Sequence, residues 1–290
     1  MKALLLVAAI AAGCAKQGTN YQATNHSGEI ASYVCVGMET SKRFGSCPGC
    51  ELDAGRMTSL MRTRYGYEGQ TLTSEQATKQ EVVRLLNEGV DRTPEDGLFL
   101  FFYSGHGGQE YLGGKEPDGS DREDEFLCLY DTYMLDDEIW DIVSRCKGRV
   151  FLYFDACHSA TMYRSVRSEI SETNAVGLAK ALSVRPEDIE KTKGFTFRPE
   201  KFISANPMSV EVSRSSPRIL CWSGCKESEY SYGGRNGGVF TTAVVNSWKK
   251  GISYDMLWES AVKIVNGKER TQNPVQTRVG SFSSGMEAFR

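Results

Sequence analysis

Apolar residues in this chain gather into short unbroken runs separated by stretches of helical spacing. The two strongest runs are Leu98-Phe99-Leu100-Phe101-Phe102-Tyr103 and Val150-Phe151-Leu152-Tyr153-Phe154. Five or six consecutive apolar positions without polar alternation read as strands buried on both faces. Ser32-Tyr33-Val34-Cys35-Val36 reads as an earlier strand, and Phe202-Ile203-Ser204-Ala205 and Arg218-Ile219-Leu220-Cys221-Trp222-Ser223 as later ones. From Asp53 onward, Met57, Leu60 and Met61 fall on one helical face. Val82, Val83, Leu85 and Leu86 mark a helix over 78–86, and Ile139, Ile142 and Val143 one over 135–146 that stops at Lys147-Gly148. Residues 63–74 are a connector with room for a short strand, and Thr93-Pro94-Glu95-Asp96-Gly97 is a turn. Further helices are expected near 175–182, from the Gly237-Gly238 turn to Trp248, and over 254–264. The alternation predicts an α/β fold, with a mostly parallel central sheet and helices on both faces. Such sheets place their reactive groups at the C-terminal edge of the strands.

Composition narrows the class without deciding it. The chain has 290 residues, 40% hydrophobic and 24% charged, ordinary proportions for a globular protein of one large or two small domains. A formal charge of −3 and an isoelectric point near 5.8 argue against nucleic acid as a partner. Basic residues are dispersed apart from a modest cluster around Arg164 and Arg167. No internal repeat or low-complexity tract is present.

Both strong runs end in reactive residues. The first leads into Ser104-Gly105-His106-Gly107 and the second into Asp155-Ala156-Cys157-His158-Ser159. Neighbouring strands that end in a histidine and a cysteine set an imidazole beside a thiol, the arrangement nucleophilic cysteine catalysis requires. A buried strand-end thiol and a satisfied loop histidine are the plain alternatives. The chain has three histidines (His26, His106 and His158), and two of them fall in these two segments, which argues against coincidence. Asp155 precedes Cys157 by two positions and so lies on the same side of an extended strand. A carboxylate there attracts a cationic side chain and repels an acidic one.

These segments resemble the two catalytic motifs of metacaspases, the caspase-like cysteine peptidases of bacteria, plants, fungi and protists. His106 and Cys157 are 51 positions apart, similar to caspases, whose His lies about 50 residues upstream of the Cys. Gly49-Cys50-Glu51-Leu52-Asp53-Ala54 resembles the family's Gly-Cys-x-x-Asp-Ala segment, and Asp124-Glu125, Asp131 and Leu135-Asp136-Asp137-Glu138 resemble its acidic stretch. Gly238-Val239-Phe240-Thr241-Thr242-Ala243 is similar to its Gly-x-Phe-Thr-x-Ala segment, and Gln272-Asn273-Pro274-Val275-Gln276 to the Gln-x-Pro-Gln segment before its final strand. The resemblance covers 31–290 and implies a caspase-like three-layer αβα sandwich and a cysteine endopeptidase acting on proteins or peptides. It implies Cys157 as nucleophile, His106 as acid and base, and the backbone N–H groups of Gly107 and Cys157 as oxyanion donors. It also implies Asp155, Asp53 and Ser104, with Cys50 nearby, as the lining for a substrate Arg or Lys. Asp53 reads equally as a helix N-cap. His158 is a motif residue in this reading and not the acid/base.

The resemblance implies no catalytic metal or cofactor. Calcium-dependent members bind Ca2+ through four aspartates, of which Asp124, Asp136 and Asp137 match three, while the fourth position falls near Arg164. An acidic first turn of a helix accounts for Asp136 and Asp137 as well. Two other readings share much of the pattern. One is a clostripain- or gingipain-like peptidase, with similar His-Gly and Cys motifs and basic preference. The other is a catalytically silent caspase-like module that binds partners. The Leu135–Glu138 segment favours the metacaspase branch.

The N-terminus is unlike the rest. Lys2 precedes an apolar run from Ala3 to Ala12, followed by Gly13-Cys14. A basic residue, a short apolar run and small residues form the plan of a secretory signal, and the Gly-Cys ending resembles a bacterial lipoprotein signal in spite of Ala11 where Leu is usual. Residues 1–14 are therefore expected to be a signal peptide, with Cys14 lipidated and the protein exported and membrane-anchored. Residues 15–30 read as a flexible tether and 31–290 as the peptidase-like domain. The alternative is a cytoplasmic protein whose residues 2–10 form the first core strand. The Cys50 segment should follow the first strand after one loop, and Ser32–Val36 lies at that distance. Setting aside Cys14 and Cys157 from the nine cysteines leaves seven, too odd a number for complete pairing. Cys47-Pro48-Gly49-Cys50 reads as a Pro-Gly turn with two nearby thiols, or as a disulfide. Residues 159–215 break the strand–helix alternation and carry Arg164, Arg167, Lys180, Arg185, Lys191 and Lys193. They read as an insertion or activation segment, and the family gives precedent for self-processing there.

Overall fold

The computed structural model describes residues 31–115, 121–157, 217–226, 229–269 and 271–290, and within these the side chains of 109–115, 121–124 and 157 lie outside the description. The N-terminal signal and tether, the 159–215 segment with its expected helix and Phe202–Ala205 strand, and His158 therefore fall outside the described residues. Among the described residues, the centre is a sheet in the order β10-β7-β6-β3-β1-β2. Its strands are β1 (Ala31–Gly37), β2 (Glu68–Thr73), β3 (Leu98–Lys115), β6 (Arg149–Cys157), β7 (Arg218–Ser223) and β10 (Val275–Val279). All neighbours pair in parallel except β10, which runs antiparallel to β7. The far half of β3 leaves this frame and forms an antiparallel hairpin with β4 (Asp121–Cys128), which in turn pairs with β5 (Tyr133–Leu135). The hairpin escapes the hydropathy pattern because its residues are mostly Gly, Gln, Glu and Asp.

Successive strand residues face opposite sides of a sheet, and both sides here are apolar. Val34, Val36, Phe99, Phe101, Val150, Leu152 and Phe154 join Val82, Leu85 and Leu86 of α2 (Lys79–Arg92) and Ile139, Ile142 and Val143 of α3 (Asp136–Val143) in one core. Tyr33, Cys35, Leu100, Phe102, Phe151, Tyr153 and Trp222 join Met57 of α1 (Cys50–Leu60), Phe240 of α4 (Val239–Ser247) and Leu257 of α5 (Tyr254–Lys268) in the other. This is the three-layer αβα sandwich with a mostly parallel sheet. Each fully buried Leu, Val or Phe contributes ~1.5–3 kcal/mol, so two apolar faces bind helices on both sides at once.

Two of the element limits that differ from the hydropathy reading bear on the core and the site. Helix α2 runs on to Arg92, past 86, because Val90 continues its buried face. Helix α1 starts at Cys50 with Gly49 as its N-cap, three residues before the expected start. Asp53 is therefore inside the helix, where its N–H donates to the Gly49 carbonyl at 3.1 Å, and it is not the N-cap.

Candidate active site

Strands β3 and β6 pair in register from Leu98 opposite Arg149 to His106 opposite Cys157. The parallel register carries the ends of the two runs to the same height, so the histidine and the cysteine meet as direct neighbours at the C-terminal edge. Parallel strands lie about 4.8 Å apart, within side-chain reach. Two residues further back in the same register, Ser104 is opposite Asp155. At 3.2–3.4 Å per residue, this second pair sits roughly 6.5 Å of strand behind the first and on the same face.

His106 is held from two directions. Its ring Nε2 lies 3.3 Å from the Ser46 carbonyl oxygen. A carbonyl only accepts, so Nε2 carries the hydrogen in this contact. The backbone carbonyl of His106 accepts a hydrogen bond from Tyr103 Oη at 2.7 Å, and the same hydroxyl reaches the Cys128 carbonyl at 2.6 Å. Tyr103 therefore ties the histidine turn to the end of β4. Gly105 makes room for this contact, since a Cβ there would stand 2.4 Å from Tyr103 Oη.

Behind the His–Cys pair lies a cluster of wholly buried carboxylates. Asp53 Oδ2 accepts from Ser104 Oγ at 2.8 Å, and both its oxygens accept from Gly238 N, at 3.0 and 2.8 Å. Arg56 Nη1 lies 3.6 Å from Asp53 Oδ1. Asp155 accepts from Ser231 Oγ at 2.5 Å and from Thr241 N and Oγ1 at 3.0 and 2.6 Å. Both carboxylates are 0% exposed. A charge removed from water persists only when it is hydrogen-bonded or paired, and here hydroxyls and backbone N–H groups do the first part. Arg56, 3.6 Å from Asp53, does the second for that carboxylate.

The sequence reading thus finds His106, Cys157, Ser104, Asp53 and Asp155 gathered at one edge, with Cys50 one turn before Asp53 in α1. Gly107 follows His106 in β3, paired with Leu127 of β4. That reading missed Ser46, Ser231, Thr241 and Gly238. Thr241 and Gly238 lie in the Gly-x-Phe-Thr-x-Ala segment, which marked them without revealing a partner. Asp136 and Asp137 occupy the first turn of α3, where Asp136 Oδ1 accepts from Asp137 N at 3.1 Å. The Asp124 side chain lies outside the description. Among the described residues, no group of three or more His, Cys, Asp or Glu side chains is arranged to hold a metal ion.

Among the described residues, the other cysteines are buried in the core. Cys47 and Cys50 are buried thiols with no bond between their sulfurs and in hydrogen-bond contact, Sγ to Sγ 2.8 Å, so the disulfide reading of this pair is not what the structure holds. Burial pushes the Cys35 thiol up to about 12 and raises Cys128 well above its ordinary value. Thiols of that kind are not ionised near neutral pH and make poor nucleophiles.

The comparisons agree with this geometry. A family model described as the caspase domain matches residues 34–282. The chain belongs to the caspase-domain family. This caspase-domain protein is 28% identical to metacaspase-1A of Aspergillus fumigatus over 267 residues, 81% of this chain and 63% of that protein. It is 28% identical to metacaspase-1 of Ajellomyces capsulatus over 267 residues, 81% of this chain and 73% of that one. The chain spans under two thirds of the length of the Aspergillus fumigatus relative. In fold it is similar to a Geobacter sulfurreducens protein of known crystal structure, with a TM-score of 0.66 at 24% identity over 89% of this chain and 98% of that one. It is also similar to caspase-1 of Spodoptera frugiperda, with a TM-score of 0.52 at 12% identity over 97% of this chain and 100% of that one.

Proposed function

We propose that this chain is a cysteine endopeptidase of metacaspase type that cleaves after Arg or Lys. The observation that carries the reading is the β3–β6 register, in which His106 lies opposite Cys157. The Cys157 thiolate attacks the scissile carbonyl, His106 protonates the leaving amine, and the acyl-enzyme is then hydrolysed by water that His106 deprotonates. Backbone N–H groups of Cys157 and Gly107 are the oxyanion donors. The Ser46 carbonyl orients the imidazole, the third member that a nucleophile–base pair commonly has. The preference for Arg or Lys is supported by two buried carboxylates: Asp155, on the same strand face as the reacting pair, and Asp53 of α1, which is bonded to Ser104 opposite Asp155.

Calcium is a separate matter. Two adjacent carboxylates, one already accepting a backbone N–H, supply fewer oxygens than the six to eight Ca2+ takes. The described residues do not by themselves fit the ion, and no step above uses it. We also read the protein as an exported lipoprotein anchored through Cys14 and as self-processing within 159–215. The first reading rests on the Lys2-to-Cys14 pattern and the second on the basic residues that follow Cys157. Loss of membrane partitioning in Cys14→Ser checks the anchor, and unchanged partitioning would refute it.

The deciding experiment is cleavage of a peptide library by the full chain, with and without Ca2+, using Cys157→Ala as the blank. Products ending in Arg or Lys are expected from the wild type, with none from Cys157→Ala and almost none from His106→Ala. Turnover by either variant at the wild-type rate would end this assignment.

A further inference from the structure

Gln272 lies fully buried just before β10. Its Oε1 accepts from Tyr232 N at 3.1 Å, and its Nε2 donates to the Gly224 carbonyl at 2.9 Å. A backbone N–H can only donate and a carbonyl can only accept, so these two contacts decide which end of the amide is which. The same Nε2 stands 2.9 Å from Ser231 Oγ and donates there as well. Ser231 therefore accepts from behind, and its single hydroxyl hydrogen is directed at Asp155 Oδ1, 2.5 Å away. The other oxygen, Oδ2, receives the Thr241 N–H and hydroxyl. Hydrogens approach both oxygens of Asp155. A carboxylate takes that arrangement, whereas a neutral acid must use one oxygen as a donor.

Sheet order explains how so distant a residue reaches the site. Asp155 is near the end of β6, Gly224 follows β7, and antiparallel β10 begins with Val275 opposite Ser223. The relay from Gln272 through Ser231 to Asp155 thus runs sideways along the sheet edge formed by the ends of β6 and β7 and the start of β10, away from β3 and His106.

We propose that Gln272 is a positioning residue for specificity: acting through Ser231, it holds Asp155 as an aimed carboxylate and thereby sets the preference for a cationic over a neutral side chain before the scissile bond. This rests on the reading of Asp155 as the group that meets the substrate Arg or Lys. The test compares matched peptides carrying Arg or citrulline, its neutral near-isostere, with the full-length wild type, Gln272→Met, Gln272→Glu and Ser231→Ala. Methionine keeps the length and loses the donor; glutamate keeps an acceptor for Tyr232 and replaces the donor by an acceptor. The Arg-to-citrulline ratio of kcat/KM should fall about tenfold in each variant. The fall should come from a higher KM for the Arg peptide, with the citrulline peptide within about twofold of wild type. Adding Gln272→Met to Ser231→Ala should bring no further fall, since one relay is cut only once. Ser231→Ala removes one oxygen and keeps the comparison available where a Gln272 variant folds poorly. Equal losses on both peptides, or an unchanged ratio, would overturn the relay. A wild type indifferent to Arg over citrulline would instead remove the reading of Asp155, and the proposal with it.

Discussion

Asp155 and Gly105 show how narrowly single residues are constrained at this site. Both oxygens of Asp155 accept hydrogens, so Asp155→Asn must either turn its amide N–H2 against the Thr241 N–H or make the Ser231 hydroxyl rotate its hydrogen away and accept instead. It also removes the charge offered to a substrate cation. Truncating a buried charge pair commonly costs about 2–5 kcal/mol, and the expected outcome is a loss of that size in kcat/KM for Arg and Lys peptides. Efficient cleavage after Asp by the wild type would show that the site has been misread. Gly105→Ala is expected to act through the backbone. Its Cβ would stand 2.4 Å from Tyr103 Oη, and the hydroxyl that holds the His106 carbonyl must give way. Overpacking of this kind costs about 1–3 kcal/mol, visible as a lower unfolding midpoint together with reduced kcat. A Gly105→Ala enzyme with wild-type kcat would separate the histidine's position from the Tyr103 contact.

At the scale of elements, the site depends on how the start of α1 meets a glycine-rich hairpin. Strands β8 (Gly233–Gly234) and β9 (Gly237–Gly238) pair just ahead of α4, and Gly238 N binds the Asp53 carboxylate of α1. Gly237 has φ of 90°, and a Cβ there would lie 2.3 Å from Asp53 Oδ1. Both the backbone conformation and the close approach exclude a side chain. Gly237→Ala should lower thermal stability and raise KM for Arg peptides together. Gly55, in the same helix as Asp53, has nothing within 4 Å of an added Cβ. Gly55→Ala should therefore stabilise by about 0.5–1 kcal/mol through helix propensity and leave KM alone. Equal thermal shifts from the two substitutions would show that the hairpin contact has no special weight.

For the molecule as a whole, the crossover from β6 to β7 ties the reacting edge to the uncharted part of the chain. The two strands are parallel neighbours, so the chain leaves β6 at the edge that holds Cys157 and must re-enter β7 from the opposite edge. Residues 158–217 make that connection and include Arg164, Arg167, Lys180, Arg185, Lys191 and Lys193. An enzyme with the proposed selectivity for basic residues would carry candidate bonds of its own directly after the proposed nucleophile. On incubation the wild type should break into two fragments with a new N-terminus just after one of these residues, while Cys157→Ala stays whole. A full-length wild type that cleaves peptides rapidly would count against activation by self-cleavage.

Local chemistry was enough to mark the core strands and the candidate pair of His106 and Cys157. Unbroken apolar runs need two covered faces, which predicts a parallel sheet under helices, and runs of similar length ending in Ser-Gly-His and Asp-Ala-Cys already place an imidazole and a thiol at one edge. Asp155 was legible for the same reason, since a two-residue offset on a strand keeps one face. Other features were set by distance in the chain. Asp53 meets Gly238 across 185 positions, and Asp155 meets Ser231 and Thr241 across 76 and 86. No local pattern of hydropathy or spacing encodes such a contact, because it depends on which helices the sheet brings together. The polar β3–β4 hairpin, the early start of α1 and the unbridged thiols of Cys47 and Cys50 were likewise settled by packing, where hydrogen-bond geometry and room for a Cβ outweigh the preference of any single residue.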